Sequence, residues 1–118
     1  MGRSQQRKGA AAERELAELL TSYGYKVTRG GSMSFGAVPD LVGLPGVHVE
    51  VKRVERLNLW KAMQQAAADA DRFGDGMPIV FHRQNRRPWL VTMRLEDFMK
   101  LYRGNDRDCL DDPEEGKS

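Results

Sequence analysis

A short stretch of alternating residues constrains the fold of this chain more than any other feature. From Val47 to Lys52 the sequence reads VHVEVK. This alternation is typical of a β-strand, in which successive side chains point to opposite faces of the sheet. The three valines then share one face, whereas His48, Glu50 and Lys52 share the other. The pattern predicts a sheet with one apolar face and, on the other, a carboxylate next to an ammonium group.

The turn before this strand predicts which residue lies opposite Glu50. A three-residue loop, Leu44–Gly46, with its glycine in the left-handed conformation, suits a hairpin better than a two-residue Pro-Gly connection. This loop pairs Gly43 with Val47 and therefore places Asp40 opposite Glu50. Two directly opposed carboxylates destabilise a sheet unless a cation compensates them. Hard carboxylate ligands with room for water suit Mg²⁺ or Mn²⁺.

Hydrophobic periodicity predicts eight elements in the order α-β-β-β-α-β-β-α. We expect helices over 7–23 and 57–73 and a short closing helix that starts at 95 and stops at Gly104, with strands over 25–29, 39–44, 47–53, 78–82 and 89–93. This order indicates an α/β single domain in which a mixed β-sheet is flanked by helices.

Charge is distributed unevenly along the 118 residues. Residues 106–118 contain six acids and two bases, so residues 1–105 carry a net charge of +6. We expect a folded domain over 1–105 and an acidic, disordered tail over 106–118. The basic domain suggests a polyanionic partner, and the tail would limit non-specific binding of that partner.

Several classes of protein are excluded by composition. The single cysteine, Cys109, rules out an internal disulfide framework and a cysteine-rich zinc site. No apolar stretch is long enough to span a membrane, and acidic residues interrupt what would have to be a signal peptide. We therefore expect a cytoplasmic protein without a small-molecule cofactor.

At two places the sequence resembles a nuclease family. Pro39-Asp40 followed by Glu50-Val51-Lys52 is similar to the P-D…(D/E)-x-K signature of the PD-(D/E)XK nucleases. Upstream, residues 8–16 (KGAAAEREL) resemble the opening of archaeal-type Holliday junction resolvases and related phage nucleases. The resemblance implies a restriction-endonuclease-like fold and a bacterial or phage-infected cell as the host. It also implies a homodimer, because cutting a four-way junction symmetrically needs two active sites.

The resemblance also implies roles for individual residues. Asp40 and Glu50 would hold a divalent metal ion, Mg²⁺ or alternatively Mn²⁺, with Glu13 as a third acid. Lys52 would orient or activate the attacking water. The choice of Glu13 rests on the resemblance alone, because helical periodicity accepts Glu15 equally well. Apart from this alternative, Glu15 is interpreted as a solvated helix residue.

Contacts with DNA are expected from basic and polar residues around this site. A glutamine on the second helix approaches the site in related nucleases, and Gln64 and Gln65 fit almost equally well. Trp60 is interpreted as a packing residue and His48 as a structural one. The residues expected to bind DNA are Arg7, Lys8, Arg29, Ser32, Gln65, Arg83, Arg86 and Arg87.

The sequence thus predicts a metal-dependent, structure-selective DNA endonuclease, in particular a Holliday junction resolvase that acts on branched DNA. Two alternatives remain open at this point. One is a replication or repair nuclease that cuts forks, flaps or single-stranded DNA. The other is a non-catalytic DNA-binding module. All four catalytic positions are filled in this sequence, which argues against this second alternative.

Overall fold

A computed structural model of the chain describes residues 2–30 and 38–110, with side chains over 9–30 and 38–105. The elements are α1 (Gly2–Ser22), β1 (Thr28–Arg29), β2 (Leu41–Val42), β3 (Val47–Arg53), α2 (Leu59–Phe73), β4 (Met77–Arg83), β5 (Leu90–Met93) and α3 (Leu95–Leu110). Their order confirms the α-β-β-β-α-β-β-α prediction. No helix within the described ranges has the length and apolar character required to cross a bilayer.

The strands form one mixed sheet of five strands in the order β1-β2-β3-β4-β5. β1, β2 and β3 pair antiparallel, β3 and β4 pair parallel, and β5 pairs antiparallel to β4. The parallel pair requires a crossover, which α2 supplies. The mixed sheet flanked by helices agrees with the expected fold class.

The two faces of the sheet are covered by different helices. On one face, Leu16 and Ala17 of α1 pack against strand residues that include Val49 and Ile79. On the other face, α2 packs small residues and Met63 against Val80. Since Glu50 is in register with Val80, its side chain points to the α2 face. The charged side of the VHVEVK strand therefore lies under α2.

Helix α2 is capped at both ends, and the caps define where it begins and ends. The Asn58 side chain caps its N-terminus by accepting a hydrogen bond of 3.1 Å from the Lys61 N–H. Gly74, in the left-handed conformation with φ of 61°, caps the C-terminus and donates its N–H to the Ala70 carbonyl at 2.8 Å. The helix is thereby held in fixed register over β3 and β4.

A close backbone approach holds the start of β2 near the end of β1. The Gly30 N–H donates to the Asp40 carbonyl at 3.0 Å. A Cβ atom on Gly30 would collide with the Pro39 carbonyl, so only glycine fits at this position. This contact fixes the backbone that carries Asp40.

Several bounds of the secondary structure differ from expectation. Helix α1 begins at Gly2, five residues before its expected start. Helix α3 continues through Gly104 to Leu110, so the expected stop at Gly104 is wrong. A glycine inside a helix costs only about 1 kcal/mol, which is too little to end it. The first five residues of the expected tail are helical, and residues 111–118 lie outside the described residues. Strands β1 and β2 each span two residues, shorter than expected.

Candidate active site

Asp40 and Glu50 lie side by side across the β2–β3 pair. Leu41 pairs with Val49, which confirms the register expected from the three-residue loop, and Gly46 of that loop has a φ of 76°. The Asp40 carboxylate accepts a hydrogen bond of 2.9 Å from the Val51 N–H. Burial and the negative charge of Glu50, with a smaller contribution from Glu13, raise the pKa of Asp40 to about 6. The site therefore gathers more negative charge than its own lysine compensates.

Lys52 is held between this acidic pair and α2. Its Nζ lies 3.7 Å from Glu50 Oε2 and donates to Gln65 Oε1 at 3.3 Å. The Lys52 side chain is about one-third exposed, so it reaches solvent while Glu50 is buried. Of the two candidate glutamines, the structure brings Gln65 to Lys52, whereas Gln64 lines an apolar groove beside Trp60.

The two N-terminal acids point to opposite flanks of α1. Glu13 Oε1 accepts from Arg29 Nε at 2.8 Å, and its charge acts on Asp40. Glu15 lies instead beside β4 and β5, where it accepts from Arg83 Nε at 2.7 Å and Trp89 Nε1 at 2.8 Å. The interpretation of Glu15 as a solvated residue is therefore wrong, because the carboxylate ties α1 to the sheet.

The hydrogen bond from Arg83 is the main cause that lowers the pKa of Glu15, and it outweighs the opposing effect of burial. The network also includes Arg53, whose Nη1 lies 3.5 Å from Glu15 Oε1. Arg83 itself is nearly buried and stacks at 5.7 Å over the Trp89 ring. These contacts give Glu15 a structural role at the centre of a polar cluster.

The residues expected to bind DNA fall into three groups. Arg29 and Arg83 pair with acids of α1. Arg86 and Arg87 are exposed in the turn between β4 and β5, where Arg86 has a φ of 61°. Ser32 and the side chains of Arg7 and Lys8 lie outside the described residues.

Two aromatic or imidazole side chains have surroundings that the sequence did not reveal. Trp60 is 79 % exposed, so its interpretation as a packing residue is wrong. His48 is buried beside Glu50, and its Nδ1 lies 2.9 Å from Asp75 Oδ2. Burial acts to lower the pKa of His48, but the nearby carboxylates of Glu50 and Asp75 together raise it to about 9. The spacing of 27 residues between His48 and Asp75 gave no local signal.

The fold and this arrangement define a PD-(D/E)XK nuclease, in which two acids and a lysine meet on neighbouring strands of a mixed sheet. Comparison with known proteins is more specific. Residues 4–105 match the model of the archaeal Holliday junction resolvase (Hjc) family, and the chain belongs to this family.

A solved structure supports the same assignment. The chain is similar to Hjc, a Holliday junction resolvase from the archaeal hyperthermophile Archaeoglobus fulgidus, with 27 % sequence identity and a TM-score of 0.54. The similarity covers 73 % of this chain and 72 % of that one. No curated protein sequence matches the chain significantly.

Proposed function

We propose that this chain is a Mg²⁺-dependent endodeoxyribonuclease that cleaves four-way DNA junctions. The observation that carries the proposal is the opposed Asp40–Glu50 pair with Lys52 beside it, in a chain of the Hjc family. Burial and the neighbouring Glu50 carboxylate raise the pKa of Asp40, so a divalent cation bound between the two acids would stabilise their ionised forms. Mn²⁺ would fit the same oxygen ligands.

Individual residues of the site would have distinct roles in phosphodiester hydrolysis. Asp40 and Glu50 would hold the cation, and Glu13 contributes negative charge from α1. When bound, a divalent cation supplies a water of lowered pKa and polarises the phosphoryl group. Lys52 would donate to the attacking water or to a phosphate oxygen, thereby offsetting the charge that develops on the phosphate. Gln65 would hold the Lys52 ammonium in position.

Contacts with the DNA backbone would come from the basic residues around this site. Arg86 and Arg87 are exposed and free to contact phosphates. Arg29 contributes beside Glu13, and the proposal extends to Arg7, Lys8 and Ser32. Arg83 would act mainly by positioning the turn that carries Arg86 and Arg87, because its own guanidinium pairs with Glu15.

The lysine offers a sharp test of this mechanism. Lys52→Ala should retain binding of a four-way junction and lose cleavage by about 100-fold or more, measured under single-turnover conditions with Mg²⁺. Lys61→Ala removes an exposed lysine of α2 and should cleave at the wild-type rate. Forks, flaps and linear duplex, assayed in parallel, should be cut more slowly than the junction. Equal cleavage of all these substrates, or an active Lys52→Ala protein, would contradict the proposal.

The function also requires two active sites, so the proposal includes a homodimer. Apolar residues line a groove between α2, the end of β5 and the start of α3, and Leu59, Trp60 and Leu95 of this groove are exposed. Exposed apolar surface of this kind commonly marks a contact with another protein. β5 is also an edge strand, with one side unpaired within the described sheet. A second copy of the chain would cover both.

Analytical ultracentrifugation tests the location of this interface. Trp60→Glu should shift the protein from dimer to monomer. Tyr23→Glu is a matched control, because Tyr23 is 73 % exposed and follows α1, on the opposite face of the sheet from α2. A monomeric wild-type protein, or a Trp60→Glu protein that remains as dimeric as the control, would refute this interface.

A further inference from the structure

A second group of potential metal ligands lies on the α2 side of Glu50. Within the described residues, ligand atoms of His48, Glu50 and Asp69 all lie within 4.8 Å of one another. His48 and Glu50 come from β3, whereas Asp69 comes from α2 and is half-buried. The three side chains therefore converge between the helix and the sheet.

The His48 imidazole is oriented as a metal ligand would be. Its Nδ1 lies 3.0 and 2.9 Å from the two carboxylate oxygens of Asp75, which fixes the ring. Its Nε2 points to the cluster, 3.5 Å from Glu50 Oε1, and makes no well-formed hydrogen bond although the side chain is only 1 % exposed. A buried polar atom without a good partner is costly and calls for an explanation. A carboxylate that orients the far nitrogen of a histidine is the usual arrangement behind metal-bound imidazole.

The two oxygens of Glu50 face in different directions. Oε2 lies towards Lys52, at 3.7 Å, whereas Oε1 lies towards His48. One carboxylate can therefore serve the Asp40 side with one oxygen and the His48 side with the other. The two groups share Glu50 but differ in every other ligand.

We propose that His48 Nε2, Glu50 and Asp69 form a second site, for a transition-metal dication such as Zn²⁺. Three protein ligands with one imidazole nitrogen and two carboxylates suit Zn²⁺, Mn²⁺ or Co²⁺ and leave a position open for water. Mg²⁺ prefers oxygen ligands alone, so it would favour the Asp40 side. The ion would link α2 to β3. The proposal goes beyond the nuclease function, since it concerns binding and holds whether or not the chain cuts DNA.

Imidazole NMR of the untagged full chain tests this site directly, because the chain has only two histidines. Adding Zn²⁺ to the metal-free protein should move the Nε2 resonance of His48 to a metal-bound position. His82, whose Nε2 bonds Thr92 Oγ1 at 2.9 Å, should remain unchanged and serves as the internal control. Excess Mg²⁺ should not reproduce the His48 shift. A His48 resonance that is insensitive to Zn²⁺ would overturn the proposal and leave a protonated imidazole among carboxylates.

Variants separate the new site from the Asp40 side. Asp69→Asn should weaken Zn²⁺ binding at least tenfold in calorimetry, and Asp75→Asn should weaken it roughly 10–100-fold by releasing the ring. Asp71→Asn, an exposed position on the same helix, should bind as the wild type does. Asp40→Asn should retain the His48 response, even if it abolishes cleavage. Equal affinities of the Asp69 and Asp71 variants, or loss of the His48 shift in Asp40→Asn, would refute the site.

Discussion

Replacing Asp40 should make the metal-free protein more stable while it removes activity. Burial of the Asp40 carboxyl and the negative charge of Glu50 together raise the pKa of Asp40 from 3.8 to about 6. This difference corresponds to about 3 kcal/mol, the cost of ionising the carboxyl in the folded protein relative to the unfolded chain. Asp40→Asn removes this cost. The amide oxygen can still accept the hydrogen bond from the Val51 N–H.

The sign of the effect follows from the direction of the pKa shift. Below about pH 3 the carboxyl is largely protonated in both states, so the wild type and the variant should be similarly stable. As the pH rises to about 6, the unfolded chain ionises while the folded protein retains the proton, and the wild type loses stability. Above that range the variant should be more stable by up to about 3 kcal/mol.

Urea unfolding in EDTA, followed from about pH 3 to about pH 8, measures this difference. Asp71→Asn, which neutralises an exposed acid of α2, controls for the general loss of a negative charge. Added Mg²⁺ should then stabilise the wild type more than Asp40→Asn. A variant that is less stable than the wild type at every pH would refute the reasoning, because the charge of Asp40 would then not be the dominant contribution.

Three further outcomes are expected. Glu15→Gln should lower the free energy of unfolding by about 1–3 kcal/mol, because it breaks a charge-assisted hydrogen-bond network. Glu18→Gln, on the exposed side of α1, is the control and should change this free energy little in the same urea titration. Gly30→Ala should destabilise the fold by about 1–3 kcal/mol and slow junction cleavage, because the added methyl group displaces the backbone that carries Asp40. Full cleavage activity of this variant would contradict the prediction. The double variant Arg86→Asn, Arg87→Gln should reduce the salt dependence of junction binding by about one or two phosphate contacts. Asparagine is chosen at position 86 because it tolerates the left-handed backbone there. An unchanged slope of binding affinity against salt concentration would remove both residues from the DNA interface.

The core of the site could be predicted from the sequence because it depends on local geometry. Alternation along β3 and the left-handed glycine at 46 together fix the β2–β3 register, and the register alone places Asp40 opposite Glu50. The order of all eight elements was predictable for a similar reason, since each element has its own period of apolar residues.

Contacts between distant elements could not be read in this way. The choice between Glu13 and Glu15 depends on how α1 is rotated over the sheet, and periodicity places both acids on the flanks of the apolar stripe. The carboxylate of Glu15 is explained by Arg83 and Trp89, which lie 68 and 74 residues further along the chain. The same is true of His48, because Asp69 and Asp75 approach it only after α2 crosses over β3.

The end of the chain shows a different limit. Gly104 has the form of a helix stop, but α3 continues past it to Leu110. Hydrophobic periodicity predicts this helix, yet its apolar residues Leu95 and Tyr102 are both exposed. A single sequence does not distinguish a face that packs on its own domain from one that packs on a second copy.

The central claim is that the Asp40–Glu50 pair and Lys52 cleave branched DNA with a divalent metal ion. Single-turnover cleavage of a four-way junction, labelled on two opposite strands, tests it most directly. The wild-type protein should make paired, symmetrical incisions in Mg²⁺ and no incisions in EDTA. Asp40→Asn should make no incisions, although that variant should still bind the junction. Cleavage in EDTA, or cleavage by Asp40→Asn at the wild-type rate, would contradict it.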